Sequence, residues 1–144
     1  MTRSIVDLVP QAGRMVLLKD ILEHDSDRIL CRARTGPPDE HPLALDGRLP
    51  AEALAEYGAQ AIAVHGGLLS DEGAVPRPGR LVALGRLSLR CSGLDQECNL
   101  VVRAHRLAGD EQGQIYDFEV READLGLLAL GRATIMFTDQ ESPS

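Results

Sequence analysis

The alternation of apolar and polar positions changes period twice along the chain. Met15–Leu22 and Arg28–Arg34 read as strands, the second with Ile29, Cys31 and Ala33 on one face. From Pro50 to His65 the apolar positions stop alternating and cover nearly every face of a helix. Ala51, Ala53, Leu54, Ala55, Tyr57, Gly58, Ala59, Ala61, Ile62, Ala63 and Val64 all fall in this stretch. Pro50 suits a first helical position and Gly66-Gly67 a stop. A helix apolar all round is buried, and one built of Ala and Gly packs against a close neighbour. Beyond it the period returns to two. Leu81–Arg90 alternates, Leu100–Leu107 less cleanly, and Tyr116, Phe118 and Val120 alternate with Asp117, Glu119 and Arg121. Ala129–Phe137 completes the set. Two strands, one long helix and four strands predict an α+β fold, an antiparallel sheet wrapped around one central helix.

Loops fall at Thr35–Asp39 and Gly73–Gly79, where Gly and Pro cluster. At 144 residues the chain fits one domain, residues 1–138, followed by a polar tail at 139–144. With aromatics at 3% and 14 Gly, the core must be built from Ala, Leu, Val and Ile, which lets backbones approach closely.

A net charge of −7 gives no electrostatic support to nucleic-acid binding. No run reaches the roughly 18 apolar residues of a membrane span, and no signal-peptide pattern opens the chain. Cys31, Cys91 and Cys98 are widely spaced, with no CxxC, so a reducing cytoplasm fits best. No HExxH, GxSxG, GxGxxG or P-loop occurs, which leaves no expected metal or nucleotide cofactor.

Glu56 is then the most informative residue. A carboxylate inside an apolar helix costs several kcal/mol unless it is paired, hydrogen-bonded or protonated. It serves either as a salt-bridge partner for one of the 14 Arg or as a general acid whose proton affinity is raised by its surroundings. Gln60 follows one turn later on the same face. His41 precedes Glu56 by 15 residues and is either a solvated loop residue or a base near the helix N-terminus, where free N–H groups polarise a carbonyl. His65 reads as a helix C-terminal cation, and His24 and His105 as surface residues.

Pro50, then Glu56 and Gln60 in Glu56-Tyr57-Gly58-Ala59-Gln60, resembles the Pro-x5-Glu-x-x-Ala-Gln helix of the 3-hydroxyacyl-acyl carrier protein dehydratases. The stretch Pro10–Leu18 is similar to their opening strand. His41-Pro42-Leu43, Asp46–Ala51 and Glu56–Ala63 look most like the dehydratase-like proteins of aryl-polyene gene clusters. The resemblance spans about Val9 to Phe137 and implies a hotdog fold. It also implies dehydration of a 3-hydroxyacyl thioester held on acyl carrier protein. His41 would take the proton at C2, Glu56 would protonate the departing C3 hydroxyl, and Gln60 would support the acid. Backbone N–H groups near Pro50 and Ala51 would hold the thioester carbonyl. The active sites would lie at the interface of a homodimer, or of a heterodimer with another hotdog subunit, with the histidine and the acid coming from different protomers. The chain departs from the family in having His41 nine rather than eight residues before Pro50, Pro50-Ala51 for Pro-Gly, and Gln11 for the opening His. A non-catalytic partner subunit and an acyl thioesterase are the alternatives the same fold allows.

Overall fold

The computed structural model describes Ile5, Val9, residues 13–69 and residues 79–137. The dipeptide Pro10-Gln11, most of the second loop, Arg77 and the C-terminal tail lie outside the described residues. Strands β1 (Leu18–His24) and β2 (Arg28–Arg34) lead through a loop to β3 (Leu49–Pro50), a 3₁₀ turn at Ala51–Ala53 and helix α1 (Leu54–Leu69). Then follow β4 (Gly79–Leu89), β5 (Gly93–Leu94), β6 (Asn99–Gly109), β7 (Gly113–Glu122) and β8 (Gly126–Phe137). Six strands form one antiparallel sheet in the order β1-β2-β6-β7-β8-β4, and β3 pairs with β5 in a small separate ladder. The sheet curls around α1, which is the hotdog arrangement.

Register explains the wrapping. One inward row runs Cys31, Val102, Val120, Ala129 and Leu89 across five strands. The next runs Ile29, Ala104, Phe118 and Gly131. Phe118 is thus flanked by small residues, and α1 presents Gly58 to it. A Cβ on Gly58 would stand 2.2 Å from Phe118 Cδ1, and one on Gly131 2.8 Å from Phe118 Cζ. The ring fits only because both positions are glycine, which fixes how closely helix and sheet meet.

The helix is not enclosed all round. Leu54, Tyr57, Gly58, Gln60, Ala61, Ile62, Val64 and His65 are buried, while Ala55, Glu56, Ala59 and Ala63 are half-buried. An all-apolar pattern therefore hides a face that the sheet of one chain leaves partly open. Helix limits also shift. Pro50 stays extended (φ −66°, ψ 148°) in β3, and Gly66-Gly67 continue the helix to Leu69.

His65 is not a terminal cation. It lies four residues inside the helix end and is fully buried. Its Nε2 donates to the Asp25 carbonyl at 2.7 Å, so its Nδ1 accepts from the Tyr116 hydroxyl at 2.6 Å. Burial pushes its pKa down, which keeps the ring neutral. His24 and His105 are exposed, as the pattern predicts.

The expected period-two pattern of β4 is interrupted. Register shifts fall between Leu81 and Ala83 and between Gly85 and Ser88, and Arg86 adopts φ 51°. Such bulges turn an edge strand and expose alternate positions on both faces. Val82, Leu84 and Leu87 are all exposed on this outermost strand.

Gly58→Ala is expected to lower stability by about 1–3 kcal/mol through overpacking against Phe118. Gly66→Ala, where a new Cβ meets nothing within 4 Å, is expected to gain about 0.5–1 kcal/mol. Urea denaturation of the two variants beside the wild type checks both signs.

Candidate active site

A cleft of about 400 Å³ opens between the start of α1 and the β4 side of the sheet. Leu43 and Pro50 line it from the loop and β3, and Glu52 and Ala53 from the 3₁₀ turn. Ala55, Glu56 and Ala59 come from α1, and Leu84, Phe118 and Ala133 from the sheet. The lining is apolar except for Glu52 and Glu56. Ala55 and Ala59 lie four residues apart on one helix face, so their small side chains keep the passage open.

Glu56 reaches this cleft because it sits in the first turn of the α-helix, half-buried on the open face. Behind it Gln60 is fully buried and ties the helix to the segment entering β1. Its Oε1 accepts the Leu17 N–H at 2.9 Å. Its Nε2 donates to the Met15 carbonyl at 2.5 Å and to Glu56 Oε1 at 3.4 Å. One amide therefore satisfies the backbone entering β1 and orients the carboxylate.

His41 is not among the residues that line the cleft. It closes a 3₁₀ turn at Pro38–Glu40 and is 7% exposed, so its ring belongs to the interior. Nε2 is 2.9 Å from the Tyr57 hydroxyl, and the Leu43 N–H donates to Nδ1 at 3.0 Å. Burial, helped by the charge of Arg14, pushes its pKa down.

Of the residues expected from sequence, the structure brings Pro50, Glu56 and Gln60 together at the cleft, with Ala51 buried beside Pro50. His41 connects to them through its neighbours, Tyr57 next to Glu56 and Leu43 on the cleft wall. Tyr57, Leu43 and Phe118 escaped the sequence reading. The scarcity of aromatics was an available signal, since two of the four Tyr and Phe residues, Tyr57 and Phe118, meet this region. Cys31 offers no nucleophile, because burial raises its thiol to about 12. Among the described residues no group of three or more His, Cys, Asp or Glu is placed to hold a metal. No helix among them is long and apolar enough to cross a membrane.

A family model described as ApeP dehydratase matches residues 3–142. The chain belongs to the ApeP dehydratase family. Its fold is similar to a chain of the dehydratase heterocomplex ApeI:P from Xenorhabdus doucetiae, with TM-score 0.82 and 20% identity over 97% of this chain and 94% of that one. It is also similar to a thioesterase from Haemophilus influenzae, with TM-score 0.64 and 14% identity over 86% and 81% of the two chains. A third likeness is to a hypothetical thioesterase with coenzyme A from Streptococcus pneumoniae, with TM-score 0.61 and 10% identity over 85% and 88%. No curated protein sequence matches the chain. ApeP-family membership thus agrees with the helix motif around Glu56, and the thioesterase likenesses concern the fold.

Two outcomes follow from this geometry. Gln60→Ala orphans the Leu17 N–H and the Met15 carbonyl, and is expected to cost about 1–3 kcal/mol for each group left buried and unsatisfied. Thermal melts of Gln60→Ala and Gln60→Met, both lacking the amide, should show the same loss. The second outcome concerns pH. His41 and His65 take up protons in the unfolded chain near 6.5, but only at lower pH when folded. The unfolded state therefore binds more protons below that value, so stability is full above pH 6.5 and declines as pH falls. Urea midpoints between pH 8 and 5 measure the decline, and His65→Gln should flatten part of it.

Proposed function

We propose that this chain is a subunit of a dehydratase that converts 3-hydroxyacyl thioesters on acyl carrier protein to 2-enoyl thioesters, in fatty-acid or polyene-type lipid synthesis. The observation that carries this reading is Glu56: a carboxylate steadied by Gln60 on the wall of an otherwise apolar cleft at the start of α1. A slender acyl chain fits against Ala55, Ala59, Leu84 and Ala133. Glu56 is the acid that protonates the departing C3 hydroxyl. His41 is the base that takes the C2 proton, and its buried position favours the neutral form a base requires. N–H groups of the turn that follows Pro50 and Ala51 polarise the thioester carbonyl.

A paired arrangement is supported by β4. Among the described residues this strand has one edge without a neighbour in the sheet; it carries the exposed Val82, Leu84 and Leu87 and supplies Leu84 to the cleft. A second hotdog subunit, identical or different, seated on that edge would cover the cleft. The similar ApeI:P dehydratase is a heterocomplex, which supports the same view. Acyl carrier protein is the proposed macromolecular partner, with Arg86 on β4 as one exposed cation for its acidic surface.

One observation favours a second reading, a non-catalytic partner subunit. Both ring nitrogens of His41 already hold hydrogen bonds, and the ring is not on the cleft wall.

The test is a dehydration assay on a 3-hydroxyacyl carrier-protein thioester, with the protein alone and with any hotdog subunit that co-purifies. Glu56→Gln and His41→Ala are each expected to slow turnover by about 100-fold or more. No turnover by the protein alone, with turnover restored by a partner independently of both substitutions, would establish the non-catalytic reading. Release of a free thiol in place of an enoyl product would establish a thioesterase.

A further inference from the structure

We infer that the outer face of the sheet carries an anion site, formed by Arg86 and Arg132, that takes a phosphate ester of the kind borne by coenzyme A and by a pantetheine arm. The site goes beyond the dehydration reading and does not rest on it. A groove of about 360 Å³ lies on the face of the sheet turned away from α1. Arg103 and His105 line it from β6, Asp117 and Glu119 from β7, Arg132 from β8 and Arg86 from β4. In register, His105, Asp117, Arg132 and Gly85 form one row across four strands, and Arg103, Glu119, Leu130 and Ser88 form the next.

The charges in this groove are not all matched. Asp117 accepts from Arg132 Nε at 2.8 Å and Nη2 at 3.2 Å. Glu119 is shared by Arg103 at 3.5 Å and Arg121 at 3.1 Å. Both carboxylates are thus engaged. Arg86 is exposed, and among the described residues its guanidinium has no carboxylate partner. It follows Gly85, the residue opposite Arg132, so two cations stand side by side at this end of the groove. Like charges on neighbouring strands repel unless an anion lies between them.

Arg86 lies in the groove only because its backbone leaves the ordinary extended region. Between the pairs Gly85–Arg132 and Ser88–Leu130, two residues of β4, Arg86 and Leu87, oppose the single Gly131 of β8. Arg86 adopts φ 51°, and a bulge whose first residue is left-handed is ordinarily built with glycine. Among the described non-glycine residues only Asp46 shares a positive φ, and aspartate tolerates it through local hydrogen bonds that arginine cannot form. Leu87 packs on the inner side, where a Cβ on Gly131 would meet its Cδ1 at 3.3 Å, and Arg86 is left for the outer groove. An arginine at a position that suits glycine is explained by what its guanidinium holds.

The ligand class follows from the spacing of the two forks. One carboxylate is filled by one guanidinium, as Asp117 and Arg132 show. A phosphate presents enough oxygens to bridge two guanidinium groups on adjacent strands. The groove also adjoins the cleft. Phe118 lines both, and Leu84 of the cleft and Arg86 of the groove are two residues apart on β4.

Titration of ¹⁵N-labelled protein with 4′-phosphopantetheine and with pantetheine, which differ only in the phosphate, tests the site at constant ionic strength. Saturable shifts of the Arg86 and Arg132 Nε–H signals are expected with the first and none with the second. An equal response to both, or to sodium chloride, overturns the inference. Coenzyme A and holo carrier protein, the latter compared with apo carrier protein, separate a free phosphate ester from a carrier-borne one; binding of either supports the site, and binding of neither overturns it. Arg86→Gln keeps the side-chain stem and is expected to weaken phosphopantetheine binding about tenfold, and unchanged affinity overturns the inference. Arg86→Gly is expected to lose the same affinity while raising Tm, because glycine is unstrained there. A lower Tm would make the arginine a structural residue and overturn the reading of its strain. None of these measurements needs turnover, so failure of this site and failure of the dehydration reading are distinguishable.

Discussion

Phe118 stands at the narrowest point between helix and sheet, and the site depends on its being there. The ring occupies space that only Gly58 on α1 and Gly131 on β8 can yield. With helix and sheet brought this close at Gly58, the half-buried Ala55, Ala59 and Ala63 of α1 border the side that the sheet leaves partly open. The cleft is what remains of that interval on the open side. Phe118 is also one of its walls, so the contact that holds the helix in place shapes the volume a substrate would occupy. A core of interlocking aromatics would fill this space. The scarcity of aromatics is in that sense a condition of the cleft.

The same close approach creates a polar problem, because a helix pressed into a sheet carries its polar side chains inside with it. Three of them are solved in different ways. Gln60 is saturated by backbone groups of the segment entering β1 and has only a long contact left for Glu56. His65 is saturated by a carbonyl and a phenol. Tyr57 receives a proton from His41, outside the helix, and so ties the loop before β3 to the helix core. A buried polar group left without partners costs on the order of 1–3 kcal/mol, so each of these bonds also fixes a register. The first and third fix the site; the second fixes the far end of the helix against β7.

Much of this was legible in the chain. Period-two alternation located the six long strands, and the Ala- and Gly-rich stretch located the helix, because burial on one face and close packing leave local signatures. Glu56 was legible for the same reason, as a charge where the pattern demanded an apolar residue. The limits of legibility are equally physical. Gly66-Gly67 resembles a helix stop, but the chain continues helically because nothing requires a left-handed residue there. His65 resembles a terminal cation only if the helix ends at that point. The partners of Gln60, backbone atoms of Met15 and Leu17, have no side-chain identity, so no residue pattern announces them. The bulges of β4 lie among residues that alternate well in sequence, and their register is set by β8 rather than by local preference.

The placement of Glu56 and His41, the proposed acid and base, follows from these constraints rather than from proximity in sequence. Glu56 and Tyr57 are adjacent, and adjacent helical side chains diverge by about 100°. Glu56 therefore meets the cleft while Tyr57 enters the core. His41 joins the core member of this pair, not the cleft member, which is why the imidazole is buried beside a carboxylate that is not. Burial, helped by the charge of Arg14, keeps the ring uncharged while its Nε2 meets the Tyr57 hydroxyl.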